Sequence, residues 1–194
     1  LSKKALSSYQ ETLSRFANPS SNHALGRALF REIEESRNKI LEAFELPKDQ
    51  YRILFTSSAT ESNNLVIKGV ARHYQNRGKH LITSLLEHPS VTNPFKALEK
   101  EGFHVTYLPV NKEGKVEIET LRNRMDKETT LVSLIGTNNE IGSINDLSSL
   151  SDVIHGFPKA FFHSDLTQAI GKTALDFRKL DLFSWSTDKS HCCV

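Results

Sequence analysis

Residues 80–110, HLITSLLEHPSVTNPFKALEKEGFHVTYLPV, decide the fold class. His80-Leu81-Ile82-Thr83 reads as a short strand, and Val91 to Glu101 as a helix that ends before Gly102. Phe103 to Val110 is a second strand, followed by the turn Lys112-Glu113-Gly114. Two strands joined through a helix of that length run parallel, because a parallel pair needs a long crossover whereas a hairpin does not.

The alternation extends both ways from this unit. Upstream, Leu25, Leu29, Ile33, Ile40, Leu41 and Phe44 keep near-helical spacing until Pro47. Tyr51-Arg52-Ile53-Leu54-Phe55 reads as a buried strand, and a helix carrying Leu65, Val66, Gly69, Val70, His73 and Tyr74 follows, stopped by Gly78. Downstream, Ile118 to Met125 and Asp146 to His155 predict helices. Thr130 to Ile135, Lys159 to His163 and Leu182 to Trp185 predict strands. The expected fold is α/β, a three-layer α-β-α arrangement on a mostly parallel sheet. Ligands of such sheets lie beyond the carboxyl ends of the strands, so the polar loops there are the ones to read.

Bulk properties narrow the function. The 194 residues are 38% hydrophobic and 25% charged, an ordinary balance for a chain with a core. A net charge of +2, with no run of Lys and Arg, argues against nucleic acid as partner. No apolar stretch approaches the roughly 18 residues of a membrane span, and Leu1-Ser2-Lys3-Lys4 leads into a polar helical segment instead of a signal peptide. Cys192 and Cys193 are adjacent and cannot build a disulfide framework, which sets a reducing, cytoplasmic location as the expectation. The His191-Cys192-Cys193 tail lacks further ligands at metal-binding spacing, so no metal is expected.

Four loops carry chemistry. Thr56-Ser57-Ser58-Ala59-Thr60-Glu61-Ser62-Asn63-Asn64 follows a predicted strand and opens a helix; its N–H groups and the Thr60 hydroxyl suit an anion, although Ser and Thr there also serve as plain N-caps. Glu87-His88-Pro89-Ser90 places an imidazole where it could stack on a planar ligand or face solvent ahead of a helix. Gly136-Thr137-Asn138-Asn139-Glu140-Ile141-Gly142 offers amides that suit either ligand orientation or a turn. Phe162-His163-Ser164-Asp165-Leu166-Thr167-Gln168 puts a carboxylate after an apolar strand, a costly place unless a cation pairs with it.

In order and spacing, these four segments resemble the class V aminotransferase family of fold-type I pyridoxal-phosphate enzymes, and cysteine desulfurases most closely. Asn18-Pro19-Ser20-Ser21-Asn22-His23 with Gly26-Arg27, and Ser184-Trp185-Ser186, add to the likeness, which runs from about Asn18 to Lys189. The resemblance implies pyridoxal 5′-phosphate as cofactor, with Ala59, Thr60 and Ser186 among its contacts and the first two at its phosphate. It implies His88 stacked on the ring, Asn139 and Gln168 beside it with Gln168 on the phenolic oxygen, and Asp165 paired with the ring nitrogen. Lys189 falls where the family has its Schiff-base lysine; the rival reading is an ordinary charged residue in a divergent tail. The implied catalytic pair is Lys189 and His88.

By the same resemblance the activity is removal of sulfur from L-cysteine to give L-alanine and an enzyme persulfide, for iron–sulfur cluster or thio-cofactor assembly. A homodimer and a sulfur-acceptor protein are the implied partners. Three departures bear on this. Ser58 stands where the family usually has Gly, and Asp188 where it has a phosphate-binding His. The glycine-rich turn expected after the lysine reads Ser190-His191-Cys192-Cys193-Val194 instead. The expectation is therefore an incomplete cofactor-binding large domain over 1–194, lacking the family's opening strand and its small C-terminal domain, and inactive alone. The alternatives are a non-catalytic degenerate fragment or another class V enzyme.

Overall fold

The computed structural model describes residues 3–13, 15–187 and 189. They fall into two compact units, divided between Phe55 and Thr56. The first holds helices α1 (Lys3–Leu13) and α2 (Ala24–Ala43). Residues 18–23 fold over the start of α2: a Cβ on Gly26 would lie 2.5 Å from the Ser21 carbonyl oxygen and 2.6 Å from that of Asn18. Only glycine allows that approach. His23 caps the helix, its Nδ1 accepting from the Gly26 N–H at 3.2 Å.

The second unit alternates α3 (Ala59–His73), β1 (His80–Ser84), α4 (Pro89–Lys100), β2 (His104–Leu108), α5 (Ile118–Arg122), β3 (Thr129–Ser133), α6 (Leu147–Ile154), β4 (Phe161–Asp165) and β5 (Leu182–Ser184). The five strands form one parallel sheet in the order β2-β1-β3-β4-β5. Each strand named in the unit from the sequence is present, within a few residues at either end. The fold class is therefore α/β with a parallel sheet.

One predicted strand does not form. Tyr51 to Phe55 pairs with no strand of the sheet, and Leu54 and Phe55 remain 68% and 55% exposed. Its apolar run mimicked a buried strand, but a strand exists only through a partner ladder, and this segment belongs to the other unit.

Side chains alternate across the strands, so register assigns them to faces. Leu81, Leu131 and Phe161 line up on one face and pack with Ile67, Val70 and Ala71 of α3 and Val91, Phe95 and Leu98 of α4. Ile82, Val132 and Phe162 line up on the other and are also fully buried. Burial on both faces explains why consecutive residues in the middle of these strands are apolar. Toward the carboxyl ends the α3–α4 face turns polar: Leu131 gives way to Ser133, Phe161 to His163 and Asp165, and Leu182 to Ser184.

Phe95 has no exposed surface and sits at the centre of the α3–α4 layer. Phe95→Ala is expected to cost about 3–5 kcal/mol of unfolding free energy, measured by urea denaturation.

Candidate functional site

The carboxyl end of the sheet holds a cavity of about 410 Å³ lined by Ser58, Ala59, Thr60, His88, Ser90, Ile135, Asn139, Asp165, Thr167, Gln168, Ser186 and Lys189. All eight residues singled out from the sequence line it. They arrive from the start of α3, the turn after β1, the loop after β3, the end of β4 and the segment after β5.

At the start of α3, Ser58 has extended backbone angles, φ −169° and ψ 161°, and caps the helix by accepting from the Glu61 N–H at 3.2 Å. No positive φ is needed, so a serine where the family usually has glycine costs nothing in backbone strain. Glu61 turns back to accept from the Ser57 N–H and hydroxyl, both at 2.7 Å, and these bonds lower its pKa. The Ala59 and Thr60 N–H groups have no carbonyl within the helix to bond and border the cavity. They are suited to an anion.

His88 is the N-cap of α4. Its Nδ1 accepts from the Ser90 N–H at 3.1 Å and lies 2.7 Å from the Ser90 hydroxyl, which leaves the ring exposed along the cavity. Of the two readings from the sequence, the structure bears out the one in which His88 precedes the helix, with its side chain exposed.

Of the two neighbouring amides, one has the turn role. Asn138 is buried and builds the turn, its Oδ1 accepting from the N–H groups of Glu140 and Ile141. Asn139 is exposed and borders the cavity. Gln168 is half-buried, with Oε1 accepting from Lys172 Nζ at 2.9 Å.

Asp165 ends β4 at 4% exposure. Its Oδ1 accepts from the Thr167 N–H at 2.9 Å and its Oδ2 from Asn63 Nδ2 at 2.7 Å. A carboxylate has about four acceptor sites, so it keeps capacity for a donor from the cavity side. Thr167 Oγ1, buried on the cavity wall, has no hydrogen-bond partner. Lys189 borders the cavity as an exposed side chain, its N–H on the Ser186 carbonyl. Asp188 and residues 190–194, with both cysteines, lie outside the described residues.

These features fit pyridoxal 5′-phosphate: unbonded helix N–H groups for a phosphate, a flat ring for a pyridine, a buried acceptor for a ring N–H, an unpartnered hydroxyl and a primary amine. The sequence reading did not single out Asn63, Ser90 or Thr167. Asn63 had a usable signal, because it shares the helical phase of Ile67, Val70 and Ala71 and so puts an amide on the buried stripe.

Glu87 was also missed as a functional group. Its Oε1 accepts from the Ser84 hydroxyl at 2.6 Å and the Ile135 N–H at 2.9 Å, while its Oε2 is buried without a partner. Burial pushes its carboxyl from 4.5 to about 8, against the pull of those two hydrogen bonds. Burial likewise lowers His163 to about 4, against the pull of Asp165. Between 4.5 and 8 the folded chain holds a proton on Glu87 that the unfolded chain lacks, so stability falls as pH rises. Between 4 and 6.5 the lowered pKa of His163 acts oppositely, and His80 is lowered in the same sense. Above pH 6.5 the Glu87 effect stands clear, at about 2 kcal/mol between pH 6.5 and 8. Glu87→Gln is expected to flatten that decline, as measured by urea unfolding at the two pH values; equal declines in both proteins would contradict it.

Comparison with known proteins identifies the family. The family model for aminotransferase class-V matches residues 2–193. A NifS/IcsS protein homolog from Lactobacillus delbrueckii subsp. bulgaricus is 43% identical over 98% of the chain and 50% of its own length. A protein named cysteine desulfurase IscS from Dictyoglomus turgidum is 44% identical over 90% of the chain and 44% of its own length. Among solved structures, a NifS-like protein superposes with a TM-score of 0.92 at 31% identity, over 100% of this chain and 53% of that one. One described as SspA in complex with cysteine superposes with a TM-score of 0.88 at 31% identity, over 97% of this chain and 55% of that one. The chain thus spans about half the length of the curated relatives it matches. With its sequence matched almost end to end, the chain belongs to the aminotransferase class-V family, in the company of its cysteine desulfurases.

Proposed function

We propose that the chain is the cofactor-binding portion of a pyridoxal-phosphate-dependent cysteine desulfurase. The observation that carries this reading is the convergence of Lys189, Asp165, His88 and the start of α3 on one cavity. Ala59 and Thr60 hold the phosphate with their N–H groups, and Ser186 adds a hydroxyl. His88 covers one face of the ring. Asn139 and Gln168 lie at its edge, with the Gln168 side chain on the phenolic oxygen. Asp165 accepts a hydrogen bond from the ring nitrogen and favours its protonated form. Lys189 supplies the amine that would hold the cofactor and would move protons at the substrate α-carbon. When bound, the cofactor supplies an electron sink for negative charge at that carbon.

Relatives named cysteine desulfurase, and a neighbour described as a complex with cysteine, support L-cysteine as substrate. In that reaction L-cysteine gives L-alanine, and its sulfur passes to an enzyme cysteine. The same reading makes the whole protein a homodimer working in the cytoplasm, handing sulfur to an acceptor protein for iron–sulfur cluster or thio-cofactor assembly. Among the described residues no helix is long and apolar enough to cross a membrane. The 1–194 chain corresponds to part of the large domain. Its two cysteines adjoin one another just after Lys189 and do not serve as the sulfur-accepting residue.

Purified chain mixed with pyridoxal phosphate is expected to develop a visible absorption band that Lys189→Ala abolishes. A band that persists in that variant would assign the attachment to another amine and overturn the role of Lys189. The 194-residue chain alone is expected to release no sulfide from L-cysteine above the level of Lys189→Ala, as followed by a colorimetric sulfide assay.

A further inference from the structure

Beneath the cavity runs a chain of buried polar groups centred on Asn63, a residue with no exposed surface. Its Nδ2 donates to Asp165 Oδ2 at 2.7 Å and to Ser90 Oγ at 2.9 Å. Its Oδ1 accepts from the Ser184 hydroxyl. Ser184 Oγ lies 3.0 Å from His163 Nε2, and His163 Nδ1 lies 2.8 Å from Ser133 Oγ. Every member from Ser133 to Asp165 is buried.

The direction of each bond follows from Asp165. A carboxylate accepts, so the Asn63 amide nitrogen must face it and the amide oxygen must face Ser184. The Ser184 hydroxyl then spends its proton on Asn63 and must accept from His163. His163 therefore carries its proton on Nε2 and accepts from the Ser133 hydroxyl at Nδ1. On the other branch Ser90 Oγ accepts from Asn63, so its own proton is free to go to His88 Nδ1, 2.7 Å away. One amide thus joins the carboxylate beneath the cavity to the imidazole on its wall.

We propose that Asn63 is a positioning residue that aims the Asp165 carboxylate at the ring nitrogen of the cofactor and couples it to His88 through Ser90. This rests on the cofactor reading given above. An amide that only filled space would leave the site equally good for any ring of that shape. An amide acting through Asp165 is felt only by a ring that offers a nitrogen to that carboxylate.

The test is a binding cycle with two ligands and two variants. Pyridoxal phosphate and its analogue with CH in place of the ring nitrogen are titrated by absorbance into the chain, Asn63→Leu and Asn63→Ala. The variants are expected to bind pyridoxal phosphate about tenfold more weakly, the size of a lost hydrogen bond to a charged group, and the analogue unchanged. Equal weakening for both ligands, or none for either, overturns the proposal. Nitrogen-15 NMR of the histidines in the ligand-free chain gives the second readout. His163 is expected as the Nε2–H tautomer in the parent chain and as a mixture with the Nδ1–H form in either variant. A tautomer indifferent to residue 63 overturns the coupling. Should the parent chain bind neither ligand, the cofactor reading fails, and the tautomers still decide what Asn63 does.

Discussion

A carboxylate at the bottom of a cavity must be met by donors, and the site is organised by how Asp165 is met. Removing an unpaired carboxylate from water costs far more than a domain of this size can spare. Two donors meet it from the protein: the Thr167 N–H, supplied by the turn leaving β4, and the Asn63 amide, supplied by the buried stripe of α3. The second requires α3 to lie across the carboxyl ends of β4 and β5, which in turn requires the apolar layer of Ile67, Val70, Leu131 and Phe95 below it. Core packing and site geometry are therefore one arrangement, joined at Asn63.

The parallel sheet does the gathering. Because all five strands run the same way, the segments that follow them open on one edge, and residues distant in sequence meet there without long loops. The polar ends of the strands form the floor, and the loops form the walls. Glu87 is a second carboxyl close to Asp165, tied to Ser84 and Ile135. Burial raises its pKa to about 8, so it stays protonated at neutral pH and adds no negative charge there.

Much of this was legible in the sequence, for a physical reason. The middle of each central strand is buried on both faces and is apolar there, and the β1–α4–β2 stretch switches from strand to helix to strand patterning. Two residues that line the cavity also stood out, because Asp165 ends an apolar strand and Asn139 follows one, although the amides suited a turn equally well. Tyr51 to Phe55 misled because an apolar run states only that a segment avoids water and does not name a pairing partner. Asn63, Ser90, His163 and Ser184 stand in the quoted segments but were given no role of their own, because only the packing of α3, α4, β4 and β5 brings the four together. Glu87 escaped because its importance lies in burial, which its neighbours decide. Ser58 stands without backbone strain because its φ is extended, a quantity that the residue type alone does not fix.

The central claim is that the buried network holds Asp165 ready for a protonated ring nitrogen. Nitrogen-15 NMR of the chain loaded with pyridoxal phosphate labelled at that nitrogen tests it most directly. The account predicts a protonated pyridinium shift near neutral pH in the parent chain and an unprotonated pyridine shift in Asp165→Asn. A bound cofactor whose ring nitrogen stays unprotonated in the parent chain, or is indifferent to Asp165, would contradict it.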